Sequence, residues 1–202
     1  MERLRRDFNT ISLVMIPVAI AINIAIGTIV KALGLPIYLD SIGTVFAGAV
    51  AGPWVGALTG ALTNIVWGLS GINPEYLPYW PVALIIGLLA GIFSRFGWFK
   101  TWWKAIIAGA ITGLAAALAS GPITTYVLGG VTGSGTDVIT AVFRNAGWGL
   151  LPSTLAQGAV SDPLDKAISF FVVWASSERC RCDSWIGSRA PRTFASPVTG
   201  QL

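Results

Sequence analysis

The run from Thr10 to Val30 contains no charged residue. At about 1.5 Å of rise per residue, a helix over this run crosses a hydrocarbon core of roughly 30 Å. Charged residues make up only 11% of the 202-residue chain, whereas a typical soluble domain contains about 25%. Because so few charges cannot cover a water-facing surface, the sequence predicts an all-α protein embedded in a membrane.

We predict a bundle of about six transmembrane helices. The spans lie at about 10–33, 39–52, 53–70, 82–96, 105–128 and 165–176. The long apolar stretch is divided at Gly52–Pro53, because proline disfavours a helical residue before it and suits a first helical turn. A less apolar helix is predicted over 137–159, either re-entrant or packed against the bundle rather than crossing the membrane. The glycine-rich stretch 129–136 is predicted to be a flexible linker.

The basic residues indicate how the spans are oriented. Ten of the 13 Lys and Arg residues fall before the first span, in the loop after the fourth span, or after the last span. Cytoplasmic loops of membrane proteins are enriched in Lys and Arg, so this distribution predicts that both the N- and C-termini are cytoplasmic. The same bias explains the net charge of +4 without a nucleic-acid partner. We expect a multi-pass protein of a bacterial-type cell membrane, in contact with lipid.

The composition changes abruptly at residue 177. We predict a membrane-embedded domain over 1–176, followed by a polar, Arg-containing and aperiodic tail over 177–202. A segment of this composition buries too little apolar surface to fold, so the tail is predicted to be disordered. A frameshift in the encoding DNA just after the last span is an alternative origin of the tail.

Few residues of the chain could carry chemistry. The chain has no histidine, and its two cysteines, Cys180 and Cys182, lie in the tail without a second pair, so no metal site is predicted. The sequence contains no G-x-x-x-x-G-K-S/T phosphate loop and no G-x-S-x-G nucleophile motif. We therefore predict that the chain is not an enzyme and takes no cofactor. A membrane-embedded enzyme is an alternative, for which only Asp162, Asp165 and Lys166 come near a catalytic cluster.

Small residues recur every four positions along several predicted helices. Such spacing puts them on one helix face, where they let helices approach closely in lipid. The sets are Gly52, Gly56 and Gly60; Gly87 and Gly91; Gly109 and Gly113; and Ala21 and Ala25. We predict that most of these faces hold the bundle together.

The five-residue pattern N-x-x-W-G occurs twice, at 64–68 and at 145–149. Each copy places an amide and an indole three residues apart, on one face of a predicted helix. An amide can bind the donor and acceptor edge of a heterocycle, and an indole offers a stacking surface. The pattern predicts four substrate-binding residues: Asn64, Trp67, Asn145 and Trp148. Interfacial tryptophans beside helix-bonding asparagines are the alternative interpretation.

Ser161-Asp162-Pro163 is a typical helix start, with proline at the first helical position. Capping alone explains Asp162, although its carboxylate is also a candidate substrate ligand. The other carboxylates of the predicted outer side are likewise expected in loops or at helix ends: Asp40, Glu75, Asp137 and Asp165. Because no carboxylate is expected in the middle of a span, a proton or sodium relay is not indicated.

Three segments carry a resemblance to a known family: Leu35–Thr44, Ala51–Gly68 and Ser161–Lys166. With the hydropathy around them, they resemble the substrate-binding S component of an energy-coupling factor (ECF) transporter, over about residues 8–176. The tail departs from the family pattern, since such proteins usually end soon after the last helix.

The resemblance implies a six-helix subunit that binds a micronutrient near the outer face, under its loops. It also implies delivery through a transmembrane T component and two cytoplasmic ATPases. Family members dock on the T component through an Ala-x-x-x-Ala face of the first helix, which here is Ala21 to Ala25. The candidates that the family suggests are thiamine or its pyrimidine moiety, a queuosine precursor and other flat heterocycles. A flat substrate is also favoured by aromatic residues: Trp67, Tyr76, Tyr79, Trp80 and Trp148. A scaffold subunit without a ligand is a further alternative.

Overall fold

The computed structural model describes residues 10–188 of the chain, except for the side chains of Ile11 and of 178–188. Within that range the chain is helical and contains no β-strand. The α-helices are α1 (Thr10–Ala32), α2 (Ile42–Ala51), α3 (Pro53–Leu69), α4 (Trp80–Arg95), α5 (Trp102–Tyr126), α6 (Asp137–Asn145) and α7 (Leu150–Ser188). Two short 3-10 helices, Pro74–Tyr79 and Trp98–Lys100, precede α4 and α5.

Three helical segments are long and apolar enough to cross a membrane: Ser12–Ala32, Pro74–Arg95 and Trp102–Tyr126. The predicted all-helical fold is confirmed, and these segments are consistent with a helical membrane protein. Helix α2 is shorter and apolar, as expected for a segment buried among its neighbours. The count of six spans and the cytoplasmic position of both termini stay predictions.

The predicted division of the second apolar stretch is confirmed. Helix α2 ends at Ala51, Gly52 has a φ of 106°, and Pro53 is the first residue of α3. Glycine adopts a positive φ at little cost, and the proline ring fits the first turn of a helix. The two residues together therefore redirect the chain from α2 into α3.

The single helix predicted over 137–159 is wrong. Helix α6 ends at Asn145, and Gly147 has a φ of 87°. The Gly147 amide donates to the Arg144 carbonyl at 3.0 Å, and the Trp148 amide donates to the Phe143 carbonyl at 3.2 Å. This is the paired hydrogen bonding of a Schellman motif, in which a left-handed glycine terminates a helix.

The helix start predicted at Ser161-Asp162-Pro163 is also wrong, because α7 begins at Leu150 and contains Pro163 in its interior. Close packing holds this part of α7 against α5: a Cβ added to Gly113 would lie 2.4 Å from the Pro163 Cα. Backbone groups that proline frees can be satisfied locally within a transmembrane bundle. Helix α7 continues past residue 177 to Ser188, and the rest of the predicted tail lies outside the described residues.

Glycines form close seams between helices, as their spacing predicts. A Cβ added to Gly56 would lie 2.5 Å from the Gly87 carbonyl oxygen, so α3 and α4 meet through backbone atoms. A Cβ on Gly109 would lie 2.5 Å from the Lys166 carbonyl oxygen on α7. Such distances leave no space for a side chain, and they fix α7 against α5 at the height of the site described below.

A buried asparagine fixes the rotation of α1 about its axis. The Asn23 amide donates to the hydroxyls of Thr44 at 2.8 Å and Thr63 at 3.1 Å, and its oxygen accepts from the Gly43 amide at 2.7 Å. Because a buried amide with all these partners is costly to move, the Asn23 face of α1 is held inward. Ala21 and Ala25 therefore lie on the outward side, and both are exposed.

Candidate functional site

A cavity lies at the end of the bundle where the connections 33–41, 70–79 and 127–136 meet. It encloses about 760 Å³ of atom-free space, part of which is open to solvent. The wall is polar and aromatic on its loop side and apolar on its α4 side, where Val82, Ala83 and Ile86 line it.

Side-chain contacts hold the three connections over the cavity. The Tyr38 and Thr136 hydroxyls are 2.8 Å apart, which joins the first connection to the third. Lys31, at the end of α1, donates to the Asn73 oxygen at 2.6 Å and forms an ion pair with Glu75. Burial raises the pKa of the Tyr38 hydroxyl above its ordinary value, and the nearby Asp162 carboxylate adds to the rise. The hydroxyl therefore stays protonated at neutral pH and can keep its hydrogen bond.

A buried ion cluster lies beside the cavity. Lys166 forms an ion pair with Asp165 and lies 3.4 Å from an Asp40 oxygen. The other Asp165 oxygen accepts from the Leu39 amide at 2.6 Å, which ties the first connection to α7. The side chains of Asp165 and Lys166 are 0% and 5% exposed, so both charges depend on these contacts rather than on water.

The predicted positions of Asp162 and Asp165 are wrong. Asp162 and Asp165 were expected at a helix end, but both lie in the interior of α7, where their side chains are buried. They are brought there because α7 starts well before Ser161 and runs along α5 without interruption. Ionisable groups in the interior of a membrane bundle are costly and usually functional.

The predicted residues Asn64, Tyr76 and Asp162 come together in the cavity wall. Asn64 is 6% exposed, and its side-chain amide has no hydrogen-bond partner among the described residues. The Asp162 carboxylate has only long contacts, with the Ser120 hydroxyl at 3.5 Å and the Ser161 hydroxyl at 3.4 Å. A buried polar group without a good partner costs free energy, so these groups are available to a ligand.

Trp67 supports the site from behind. It is fully buried and does not line the cavity, but its ring stacks on Tyr76 with centroids 4.1 Å apart and planes 16° apart. A Cβ added to Gly27 would lie 2.3 Å from the Trp67 ring, so α1 packs directly on the other side. The tryptophan therefore positions the tyrosine that borders the cavity.

Asn145 and Trp148 lie away from the cavity. Asn145 ends α6, Trp148 follows the helix stop at Gly147, and both are exposed. The Trp148 ring packs on Phe143 at 5.1 Å. The second N-x-x-W-G copy therefore does not repeat the helical arrangement of the first.

Several cavity residues were not predicted as ligands: Tyr38, Asp40, Gln157 and Lys166. Gln157 donates to the Ser161 hydroxyl at 2.7 Å, which leaves its side-chain oxygen without a partner among the described residues. The Tyr79 and Thr124 hydroxyls are 2.7 Å apart. The signal that could have found Lys166 is its position as a charge inside an apolar segment, which is uncommon without a function.

The outward face of α1 has no partner among the described residues. Ala21 and Ala25 are exposed, and larger apolar side chains near them are exposed by 40 to 63%: Leu13, Val14, Val18, Ile22 and Ile29. An exposed apolar face on a membrane helix meets lipid or another transmembrane protein.

Comparison of the chain with protein-family models, with curated proteins and with solved structures finds no match. The site is therefore interpreted from its own geometry.

Proposed function

We propose that this chain is the substrate-binding subunit of an ECF-type importer and binds a flat micronutrient in the cavity under its loops. The observation that carries the proposal is that Asn64 is 6% exposed, lines the cavity and has no hydrogen-bond partner for its amide among the described residues. A polar group in that state is satisfied when a ligand brings the missing donor and acceptor.

The cavity wall suits a flat heterocycle. Tyr76 and Tyr79 border it, and Asn64 and Gln157 contribute amide groups. Aromatic rings bind flat molecules by stacking or edge contact, while amides recognise the polar edge of a heterocycle. A vitamin or a related micronutrient combines these two properties.

Delivery requires partners that supply energy, because the sequence has no phosphate loop. In the proposed complex the chain is a multi-pass protein of the cell membrane and works with a T component and two cytoplasmic ATPases. Its contact with the T component is the exposed face of α1 around Ala21 and Ala25. Small side chains at such positions allow close helix contact in lipid.

The first experiment identifies the molecule that the purified protein carries. The detergent-solubilised chain is denatured, and the released small molecules are identified by accurate mass. We expect one flat, polar micronutrient in near-stoichiometric amount. Protein that carries no such molecule and is not stabilised by any member of a vitamin panel would contradict the proposed function.

Asn64→Ala is expected to weaken binding of that released compound. Loss of a buried hydrogen bond to a ligand costs about 1–3 kcal/mol, which corresponds to roughly 5- to 150-fold in Kd. The matched control is Asn145→Ala, which removes an exposed amide from the other N-x-x-W-G copy and should leave the Kd unchanged. Equal effects of the two variants, measured by equilibrium binding in detergent, would place the ligand outside the cavity.

The proposed orientation predicts which loops are accessible from outside the cell. In a variant with Cys180 and Cys182 replaced by serine, Ile72→Cys should react with an impermeant thiol reagent in intact cells. Lys100→Cys should react only after permeabilisation. Both positions are exposed, so access alone does not separate them. The reverse labelling pattern would contradict cytoplasmic termini.

A further inference from the structure

Two polar groups that line the cavity are acceptors without a good donor. The Asp162 carboxylate and the free oxygen of Gln157 can only accept while Asp162 is ionised. Two donors beside them are occupied: the Gln157 amino group donates to Ser161, and the Lys166 ammonium contacts Asp165 and Asp40. A ligand that satisfies these two acceptors must therefore bring donors.

Negative charges outnumber positive charges around the cavity. Asp40, Asp162 and Asp165 lie around one cation, Lys166, so the carboxylates exceed it by two when all three are ionised. Glu75 does not change this balance, because it is paired with Lys31. Buried charge without a counter-charge is unfavourable, so this place favours a positive charge, which protons supply in the empty site and a cationic ligand can supply in the loaded one. The described residues hold no group of three or more His, Cys, Asp or Glu side chains that could bind a metal ion.

Two further features of the cavity wall, besides its carboxylates, indicate an organic ligand. The Ser41 hydroxyl belongs to a residue of the cavity wall, is buried and has no hydrogen-bond partner. The Asn64 amide also lines the cavity and has no hydrogen-bond partner among the described residues. Tyr38, Tyr76 and Tyr79 also line the cavity. Aromatic faces attract cations, so the rings and the carboxylates select the same class of molecule.

We infer that the ligand is a small flat cation, such as a protonated amino-substituted nitrogen heterocycle or another planar amidinium-like group. Its N–H edge donates to the Asp162 carboxylate and the Gln157 oxygen, while Asn64 and Ser41 complete its other polar edge. This inference rests on the proposed function, since it names the substrate class of the same cavity. The cation inference is narrower than the proposed function, because a flat neutral or anionic micronutrient would agree with the proposed function and contradict the cation inference.

The test uses three planar probes of one size and different charge: benzamidine, benzamide and benzoate. Each is titrated into the detergent-solubilised full chain, and affinity is derived from the concentration dependence of the melting temperature. Benzamidine should bind at least about 10-fold more tightly than benzamide, because bonds to a charged group are the stronger ones. Benzoate should not bind. Asp162→Asn should weaken benzamidine about 10- to 100-fold and leave benzamide nearly unchanged.

The outcomes separate the two proposals. A preference for benzamide or benzoate, or a benzamidine affinity that Asp162→Asn does not reduce, overturns the cation inference. So does release of a neutral or anionic compound whose binding depends on Asn64, but that result leaves the proposed function intact. If no probe binds and no compound is released, both proposals fail. The melting temperature of Asp162→Asn without a probe shows whether the variant is folded, and Gln157→Leu provides a second test at the same edge.

Discussion

Lys166→Met should destabilise the protein by about 3–5 kcal/mol, because it leaves the buried Asp165 carboxylate and the partly buried Asp40 carboxylate without their cation. Lys166 forms an ion pair with Asp165 and lies 3.4 Å from Asp40, and its side chain is 5% exposed. Methionine fills a similar volume, so the loss is electrostatic and not a cavity effect. The measurement is the unfolding midpoint in detergent, relative to wild type.

A double variant isolates the ion pair. Asp165→Asn together with Lys166→Met removes both charges and should be less destabilised than Lys166→Met alone, because the buried carboxylate has gone. The control is Lys100→Met, at an exposed lysine, which should change stability by less than about 0.5 kcal/mol. A wild-type midpoint for Lys166→Met would show that the cluster is solvated and not closed.

Ala21→Leu and Ala25→Leu should abolish most uptake while leaving ligand binding and thermal stability unchanged. Both alanines are exposed on α1, so the larger side chain does not overpack the bundle of this chain. In a close-packed contact with the T component, overpacking costs about 1–3 kcal/mol, which weakens docking by roughly 5- to 150-fold. Affinity, melting temperature and cellular uptake are measured on the same variants.

The matched control for the α1 variants is Ala141→Leu, at an exposed alanine of α6, which should keep normal uptake. Normal uptake in both α1 variants would remove this face from the docking proposal. Loss of ligand binding or of thermal stability together with uptake would instead indicate a contact inside the bundle, which the exposure of both alanines argues against.

The sequence predicted those parts of the fold that depend on residues close together in the chain. The Gly52–Pro53 boundary follows from the backbone preferences of two adjacent residues. The glycine seam between α3 and α4 follows from small residues at four-residue spacing, because lipid rewards close contact of helices. Asn64 was likewise recognisable from its own segment, as an amide one turn from an indole.

The errors come from places where tertiary contacts or a second local signal outweighed the pattern. Pro163 was interpreted as a helix start, but the backbone contact with Gly113 keeps it inside α7. Gly147 is a helix-terminating glycine within the second N-x-x-W-G copy, so Trp148 cannot share a helix face with Asn145. Because the two N-x-x-W-G copies match at the same positions, the sequence did not show that they differ in backbone conformation.

The ion cluster could not be assembled from the sequence. Asp40 and Lys166 are 126 positions apart, and no local periodicity relates a connection after α1 to the interior of α7. Only the chain path through α5, α7 and the loops brings them together. A charged residue in an apolar segment indicates that a partner exists, but it does not identify that partner.

The most direct test of the importer proposal is uptake of the compound released from the purified protein, in the cells from which the chain comes. Uptake of the labelled compound is compared in cells with the chain, in cells without it, and in cells with the chain but depleted of ATP. The proposal predicts uptake only in the first set, because the chain supplies the binding site and the ATPases supply the energy. Equal uptake with and without the chain, or undiminished uptake after ATP depletion, would contradict it.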